Sequence, residues 1–378
     1  MKKLLLIHNL YRDFGGEDAA FYSEVELLKE DYQVEILMFD NKHKLNFYDL
    51  INFIFLTNLK SNSILKNTLK SFNPDIVYIH NLWFKGSVGL IPILKKLKVP
   101  VVVKMHNFRY LCANTFSSKK HLGDNKFCPA CGFKSLKLFN KYFQESYIKS
   151  LFVIRFSKRF YKLLNNSNLK MFLLTNHHKD ILMEKKFIEK KLFVLPNYIV
   201  NTNTKVSHSK KQFLYAGRIS KEKGLEELID SFLSLSLKNY FLKIIGTGPE
   251  LERLKLKYPN KNVVFTGFMK NQDVQKEIQI SSVVVSATKL YEGQPTLLCE
   301  ASLSSVPVIF PKSGGIKEFL PKNYEFLFEQ NNYDELKRVM QTIINSDLNK
   351  IGNENNIFIN NLMDKENLLE VFSKATNK

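Results

Sequence analysis

Short apolar runs, most of them five to seven residues long, recur along the chain and alternate with longer stretches of mixed polarity. Lys3 to His8, Gln33 to Phe39, Pro74 to His80, Val99 to Met105 and Met171 to Thr175 read as strands. They are continuous rather than alternating, as in buried strands of a parallel sheet. Between them, Asp18 to Lys29 and Asn41 to Phe72 read as helices. A second series begins at Phe213: Phe213 to Arg218, Phe241 to Ile245, Val263 to Gly267, Val283 to Val285 and Val306 to Phe310 as strands. Leu225 to Leu235 and Thr296 to Ser304 read as helices within it, and Tyr333 to Ala375 as a helical tail. Strand and helix in alternation, twice over, predict an α/β protein with two doubly wound, Rossmann-like domains. The polar stretch Asn201 to Lys211 reads as the linker between them. The expected bounds are 1–200, a linker at 201–211, 212–355, and a last segment 356–378.

A length of 378 residues gives each domain room for its own core. The net charge of +20 changes the picture more, because it asks for an anionic partner. Nucleic acid, an acidic membrane and phosphorylated substrates all fit, but no recognised nucleic-acid motif is visible. No apolar stretch approaches the ~18 residues of a membrane span. Met1 to Ile7 imitates a signal peptide until His8, Asn9 and Arg12 break it, so it reads as a first strand and the expected location is cytoplasmic. The charge is concentrated between Lys134 and Lys162, where Lys134, Lys137, Lys141, Lys149, Arg155, Lys158, Arg159 and Lys162 face one acid, Glu145. Aromatic and aliphatic residues are interleaved there, which fits either an anionic membrane surface or an ordinary solvated helix.

The chemistry gathers after the strands. Glu292-Gly293-Gln294-Pro295 turns the chain into the helix opened by Thr296 and Leu297, with Pro295 suited to its first position. A helix start offers free N–H groups and a positive dipole end, a seat for phosphate. Glu292 precedes that start and Glu300 lies about 7 Å further along the axis, so a diphosphate there would be flanked by two carboxylates. Arg218, after Gly217, and Lys223 would sit at a strand end, an arginine for bidentate phosphate binding and a lysine as a point charge. Gly246-Thr247-Gly248 would let backbone approach a ligand. In the first half, Gly15-Gly16-Glu17 follows the first strand without the third glycine of a dinucleotide fingerprint. His106 ends the strand Val99 to Met105, as a structural hydrogen-bonder or as a site residue. Cys112, Cys128 and Cys131, with His121 nearby, admit a zinc site, but fifteen and two intervening residues are not a standard zinc spacing, and a metal-free loop is the other reading.

Glu292, seven intervening residues and Glu300, with Gly293 and Pro295 and with Arg218 and Lys223 upstream, resemble the signature of retaining glycosyltransferases of family 4, which have the GT-B fold. The resemblance implies two Rossmann-like domains facing across a cleft, with the nucleotide-sugar held mainly by the second. It implies Arg218 and Lys223 on the diphosphate, Glu292 on the sugar hydroxyls, Glu300 on the ribose and Phe268 near the base. It implies Gly15, Gly16 and Glu17 beside donor and acceptor, His106 near the transferred sugar, and the last helix crossing back onto the first domain. No cofactor or metal is required by it. The expected reaction moves a hexose-type sugar, from a UDP-sugar or from GDP-mannose, to a saccharide or lipid-linked acceptor in bacterial surface polysaccharide synthesis. A catalytically silent partner subunit or a basic nucleic-acid-binding protein stand as readings from other classes.

Overall fold

The structure is a computed structural model that describes residues 1–11, 15–41, 47–108, 110–111, 146–166, 168–200 and 210–377. The cysteine loop with Cys112, Cys128 and Cys131, residues 134–145 of the basic stretch and residues 201–209 of the linker lie outside the described residues.

The chain divides into two compact units, the first running to Tyr198 and resuming at Lys365, the second spanning Ile199–Asp364. In the first, β1 (Lys2–Leu10), β2 (Tyr32–Asp40), β3 (Ile76–Ile79), β4 (Val101–Met105), β5 (Lys170–Leu173) and β6 (Leu192–Val194) form one sheet. Its order is β2-β1-β3-β4-β5-β6, and every pairing is parallel. Among the described residues up to Tyr198, the helices of this unit are α1 (Gly16–Leu28), α2 (Phe47–Ile54), α3 (Leu59–Phe72), α4 (Leu90–Leu94), α5 (Tyr147–Asn165) and α6 (Asn176–Glu184). The helix expected over 41–72 is two helices. Leu56 takes a left-handed backbone at φ 55°, and Asn58 then caps α3 by accepting from the Ser61 N–H.

The second unit has β7 (Lys210–Ala216), β8 (Phe241–Ile245), β9 (Val263–Gly267), β10 (Ser281–Val285), β11 (Val308–Lys312) and β12 (Leu327–Glu329). They pair in the order β12-β11-β10-β7-β8-β9, again all parallel. Between and after them run α7 (Leu225–Ser234), α8 (Leu251–Lys257), α9 (Asn271–Ile280), α10 (Thr296–Leu303), α11 (Tyr333–Ile343) and α12 (Leu348–Leu362). Phe213, Ile244, Val283 and Val285 are fully or nearly fully buried on one face of this sheet, and Leu214, Val284, Val308 and Phe310 belong to the core on the other. Both faces are covered, so the strands read as unbroken apolar runs.

The helical tail breaks into three. Its last piece, α13 (Lys365–Thr376), is part of the first unit. Leu368, Phe372 and Ala375 join the core of Leu4, Phe21, Tyr78 and Phe172, and Phe372 stacks on Phe172 at 5.6 Å. Lys365 pairs with Glu30, and the Lys2 ammonium donates to Asn377.

Candidate active site

In open α/β sheets, ligands bind beyond the carboxyl ends of the strands where the strand order reverses. In the second unit that point lies between β7 and β10, which pair directly. The segment after β7 carries Gly217, Arg218 and Lys223; the segment after β10 carries Thr288, Glu292 and the start of α10. Topology therefore brings together residues about seventy positions apart. The Lys223 Nζ lies 2.7 Å from Glu292 Oε1, and the Thr288 hydroxyl donates to the same oxygen at 3.1 Å. Burial would raise the Glu292 carboxyl, but the Lys223 charge and the two hydrogen bonds outweigh it and hold the group below its ordinary value.

Backbone contacts fix this pair in place. The Glu292 carbonyl accepts from the Gly315 N–H at 3.0 Å. Gly314 has φ +57°, and a Cβ there would lie 2.3 Å from that carbonyl oxygen, so the position demands glycine. The Gln330 side chain, just past β12, donates to the Leu290 carbonyl and to the Ser313 hydroxyl, tying the loops after β10 and β11 together. On the other side of the switch point, a Cβ on Gly246 would lie 1.9 Å from the Gly217 oxygen. The loops after β7 and β8 thus run backbone against backbone, with Ile219 N–H donating to Thr247 O at 2.9 Å. Gly248 packs on Ile219 in the same way.

Arg218 is exposed, and its guanidinium has no partner among the described residues. The first helical bond of α10 runs from Cys299 N–H to the Pro295 carbonyl. Pro295 is therefore the residue before the helix, with an extended backbone, rather than its first helical position. The N–H groups of Thr296, Leu297 and Leu298 precede that bond, so none has a backbone acceptor within the helix. Glu300 lies further along α10 and is only partly exposed. Burial pushes its carboxyl up to about 7, with a Gln275 hydrogen bond partly offsetting the rise. Its partner is thus on α9, away from the Lys223–Glu292 pair. Phe268 follows β9 and is 76% exposed, an open aromatic face at a strand end.

The first unit holds a second cluster at its own switch point, between β1 and β3. Gly15 is the residue before α1, and its N–H donates to Asp18 Oδ2 at 2.9 Å. Glu17 accepts from Tyr11 Oη at 3.1 Å and from Asn107 Nδ2 at 3.3 Å. The structure therefore joins the Gly15-Gly16-Glu17 turn to the residue after His106. His106 itself meets His80, Nε2 to Nδ1, at 3.2 Å. Behind them lie His8, bonded to Asp18 at 2.9 Å, and Glu24, which accepts from Tyr78 Oη at 2.7 Å and from Lys104 Nζ. Sequence reasoning missed His8, Glu24, His80 and Lys104. The signal was present: a lysine inside Val101-Val102-Val103-Lys104-Met105 breaks a run that a buried parallel strand keeps apolar. Among the described residues, no group of three or more His, Cys, Asp or Glu side chains is placed to hold a metal ion.

Two all-parallel six-stranded sheets, each wrapped by helices and each with polar residues gathered at its switch point, define the GT-B class of glycosyltransferase folds. Residues 201–363 match the family model described as glycosyl transferases group 1. The sulfoquinovosyl transferase SQD2 of Arabidopsis thaliana is 27% identical over 135 residues, which are 35% of this chain and 26% of that protein. The match thus spans about a quarter of that relative. Among solved structures, the sucrose-phosphate synthase of Thermosynechococcus elongatus superposes with a TM-score of 0.72 at 15% identity, over 99% of this chain and 98% of that one. HepE of Anabaena, solved in complex with UDP-glucose, gives a TM-score of 0.69 at 14% identity over 99% of both chains. At these identities the two structures speak for the fold.

Proposed function

We propose that this chain is a retaining glycosyltransferase that moves a hexose-type sugar from a nucleotide-diphosphate donor, a UDP-sugar, to a saccharide or lipid-linked saccharide acceptor. The observation that carries the reading is the Lys223–Glu292 pair, 2.7 Å apart beside the start of α10 and the unpaired Arg218. Breaking the bond between sugar and diphosphate puts negative charge on the leaving phosphate. The Lys223 ammonium, held by Glu292, and the helix N–H groups that lack an acceptor within α10 stabilise that charge, with the exposed Arg218 guanidinium free to turn onto the phosphate. Glu292 holds the Lys223 ammonium on one side and orients sugar hydroxyls with its remaining lone pairs. The exposed face of Phe268 suits stacking on the base, and Glu300 accepts from ribose hydroxyls. The UDP-glucose bound by the HepE structure supports a uridine donor; a GDP-mannose-dependent mannosyltransferase is the second reading of the same site.

A peripheral place on an anionic membrane is part of this reading. Among the described residues no helix is long and apolar enough to cross a membrane. In α5, Tyr147, Ile148 and Leu151 are exposed beside exposed Arg155 and Arg159. Such a mixture favours an interface with charged lipid headgroups over plain solvent.

Thermal shift against a panel of UDP-, GDP-, ADP- and CMP-sugars, followed by turnover with the stabilising donor, tests the function. A ligand at 100 times its dissociation constant stabilises by about 2.7 kcal/mol. Stabilisation by a UDP-sugar is expected, stabilisation by GDP-mannose alone supports the second reading, and no stabilisation by any donor overturns both.

A further inference from the structure

The first unit buries a chain of polar groups that ends at His106. Glu24, on α1, uses both carboxylate oxygens as acceptors: Oε2 from Tyr78 Oη at 2.7 Å, and Oε1 from Lys104 Nζ. Lys104 also donates to the Pro196 carbonyl, at 3.2 Å. His80 Nε2 stands 3.5 Å from Glu24 Oε2. That is long for a hydrogen bond, yet close enough for the carboxylate to choose which nitrogen carries the proton. The other nitrogen, His80 Nδ1, is 3.2 Å from His106 Nε2. His106 Nδ1 is buried and has no hydrogen-bond partner among the described residues.

We propose that Glu24 and His80 are positioning residues that fix the tautomer of His106, so that its Nδ1 is a bare acceptor for a ligand hydroxyl. The assignment follows from the order of the contacts. A lone pair on His80 Nε2 would face a carboxylate, so the proton sits there. His80 Nδ1 is then unprotonated and can only accept. The His106 nitrogen beside it, Nε2, must donate. Both rings are neutral, because burial, together with Lys104 and His8, holds each well below the ordinary imidazole value. A neutral ring has one proton, so none remains for His106 Nδ1. Phe21 holds the cluster from one side, its ring 5.0 Å from His80 and 4.4 Å from His8. In glycosyl transfer, a reading on which this inference rests, the ligand hydroxyl belongs to a sugar, and a site built to accept discriminates against groups that cannot donate.

Long-range proton–nitrogen correlation spectra of the whole chain labelled with 15N-histidine report the tautomer directly, with His106→Gln assigning its signals. At neutral pH His106 is expected wholly as the Nε2–H form, and in His80→Phe as a mixture of both forms. Phenylalanine fits among Phe21 and Tyr78 by shape; should it unfold the unit, the pair Glu24→Gln with Lys104→Met removes the directing carboxylate without leaving a buried charge. The Nδ1–H form in the parent, or an unchanged Nε2–H form in the folded variants, overturns the proposal. With UDP-glucose as the probe, His80→Phe is expected to lower kcat by up to about tenfold, the equivalent of one hydrogen bond, at unchanged KM, and to add nothing in the His106→Ala background. Additive losses overturn the coupling. A parent that cleaves none of the nucleotide-sugars fails the functional reading, while the tautomer spectra still decide the inference.

Discussion

The ammonium of Lys223 lies 2.7 Å from a carboxylate oxygen of Glu292, across the switch point of the second sheet. One residue follows β7 and the other follows β10, and the two strands pair side by side although Phe241 to Ile280 intervenes. Each side chain is about a quarter exposed or less, 25% for Lys223 and 22% for Glu292, so the pair is screened from water on most sides and open on one. On the proposed function, a phosphate arriving at this pair would meet a lysine already held in position by Glu292.

If Arg218 and Lys223 hold the donor diphosphate as proposed, removing either should reduce turnover strongly. Arg218→Ala and Lys223→Ala are each expected to lower kcat by at least about a hundredfold, the effect of losing one preorganised charge donor. Single-turnover rates on variants with parental melting temperatures check it; near-normal rates would remove these residues from the diphosphate.

The two glutamates should separate kinetically. Glu292→Gln loses the partner of Lys223 and is expected to lower kcat, because sugar and phosphate change charge as the bond breaks. Glu300→Gln, with its contact made equally before and during reaction, is expected to raise KM at constant kcat. Steady-state kinetics on the donor selected by thermal shift decide it, and the reverse pattern would mean that the donor lies the other way round.

Glu300 also gives a pH signature. Its carboxyl rises to about 7 in the fold from an ordinary value near 4.5. The folded state therefore holds a proton that the unfolded chain has lost, and this contribution to stability is full below about 4.5 and disappears as pH rises through 7. Glu300→Gln should melt higher than the parent above pH 7, by an amount of order 3 kcal/mol, and nearly equally at pH 4.5. Equal melting at both ends would place the carboxyl in water.

Gly314→Ala tests how Glu292 is seated. The added Cβ meets the Glu292 carbonyl at 2.3 Å on a left-handed backbone. A loss of about 1–3 kcal/mol is expected from such strain, with a larger fall in kcat than in donor affinity. A parental melting curve and parental kinetics would show that the loop relaxes freely.

The exposed cations of α5 should matter only with charged lipid. Each surface cation near an anionic leaflet contributes about 1 kcal/mol, so Arg155→Ser with Arg159→Ser should weaken sedimentation with phosphatidylserine vesicles by about thirtyfold. Equal sedimentation of parent and variant would assign the positive charge to something other than membranes.

Two α/β halves, their strands and the residues at the strand ends could be read in the sequence because they are local. Buried parallel strands leave unbroken apolar runs such as Val283-Val284-Val285, and phosphate-binding turns leave glycine, proline and charge at the ends of those runs. Arg218, Lys223 and Glu292 were singled out that way, each from its own neighbourhood. Their pairing was not legible, since a contact between Lys223 and Glu292 depends on which strands lie side by side, and strand order is a property of the closed sheet. The break in the helix expected over 41–72 comes with one left-handed residue, Leu56, which carries no strong local signal. The polar chain from Lys104 through Glu24 and His80 to His106 was decided only by the tertiary structure. Its members come from α1, β3 and β4 and from the residues that follow those strands. A buried charge is tolerable only where the fold supplies its partner, so neither the lysine nor the glutamate has a meaning until both are in place.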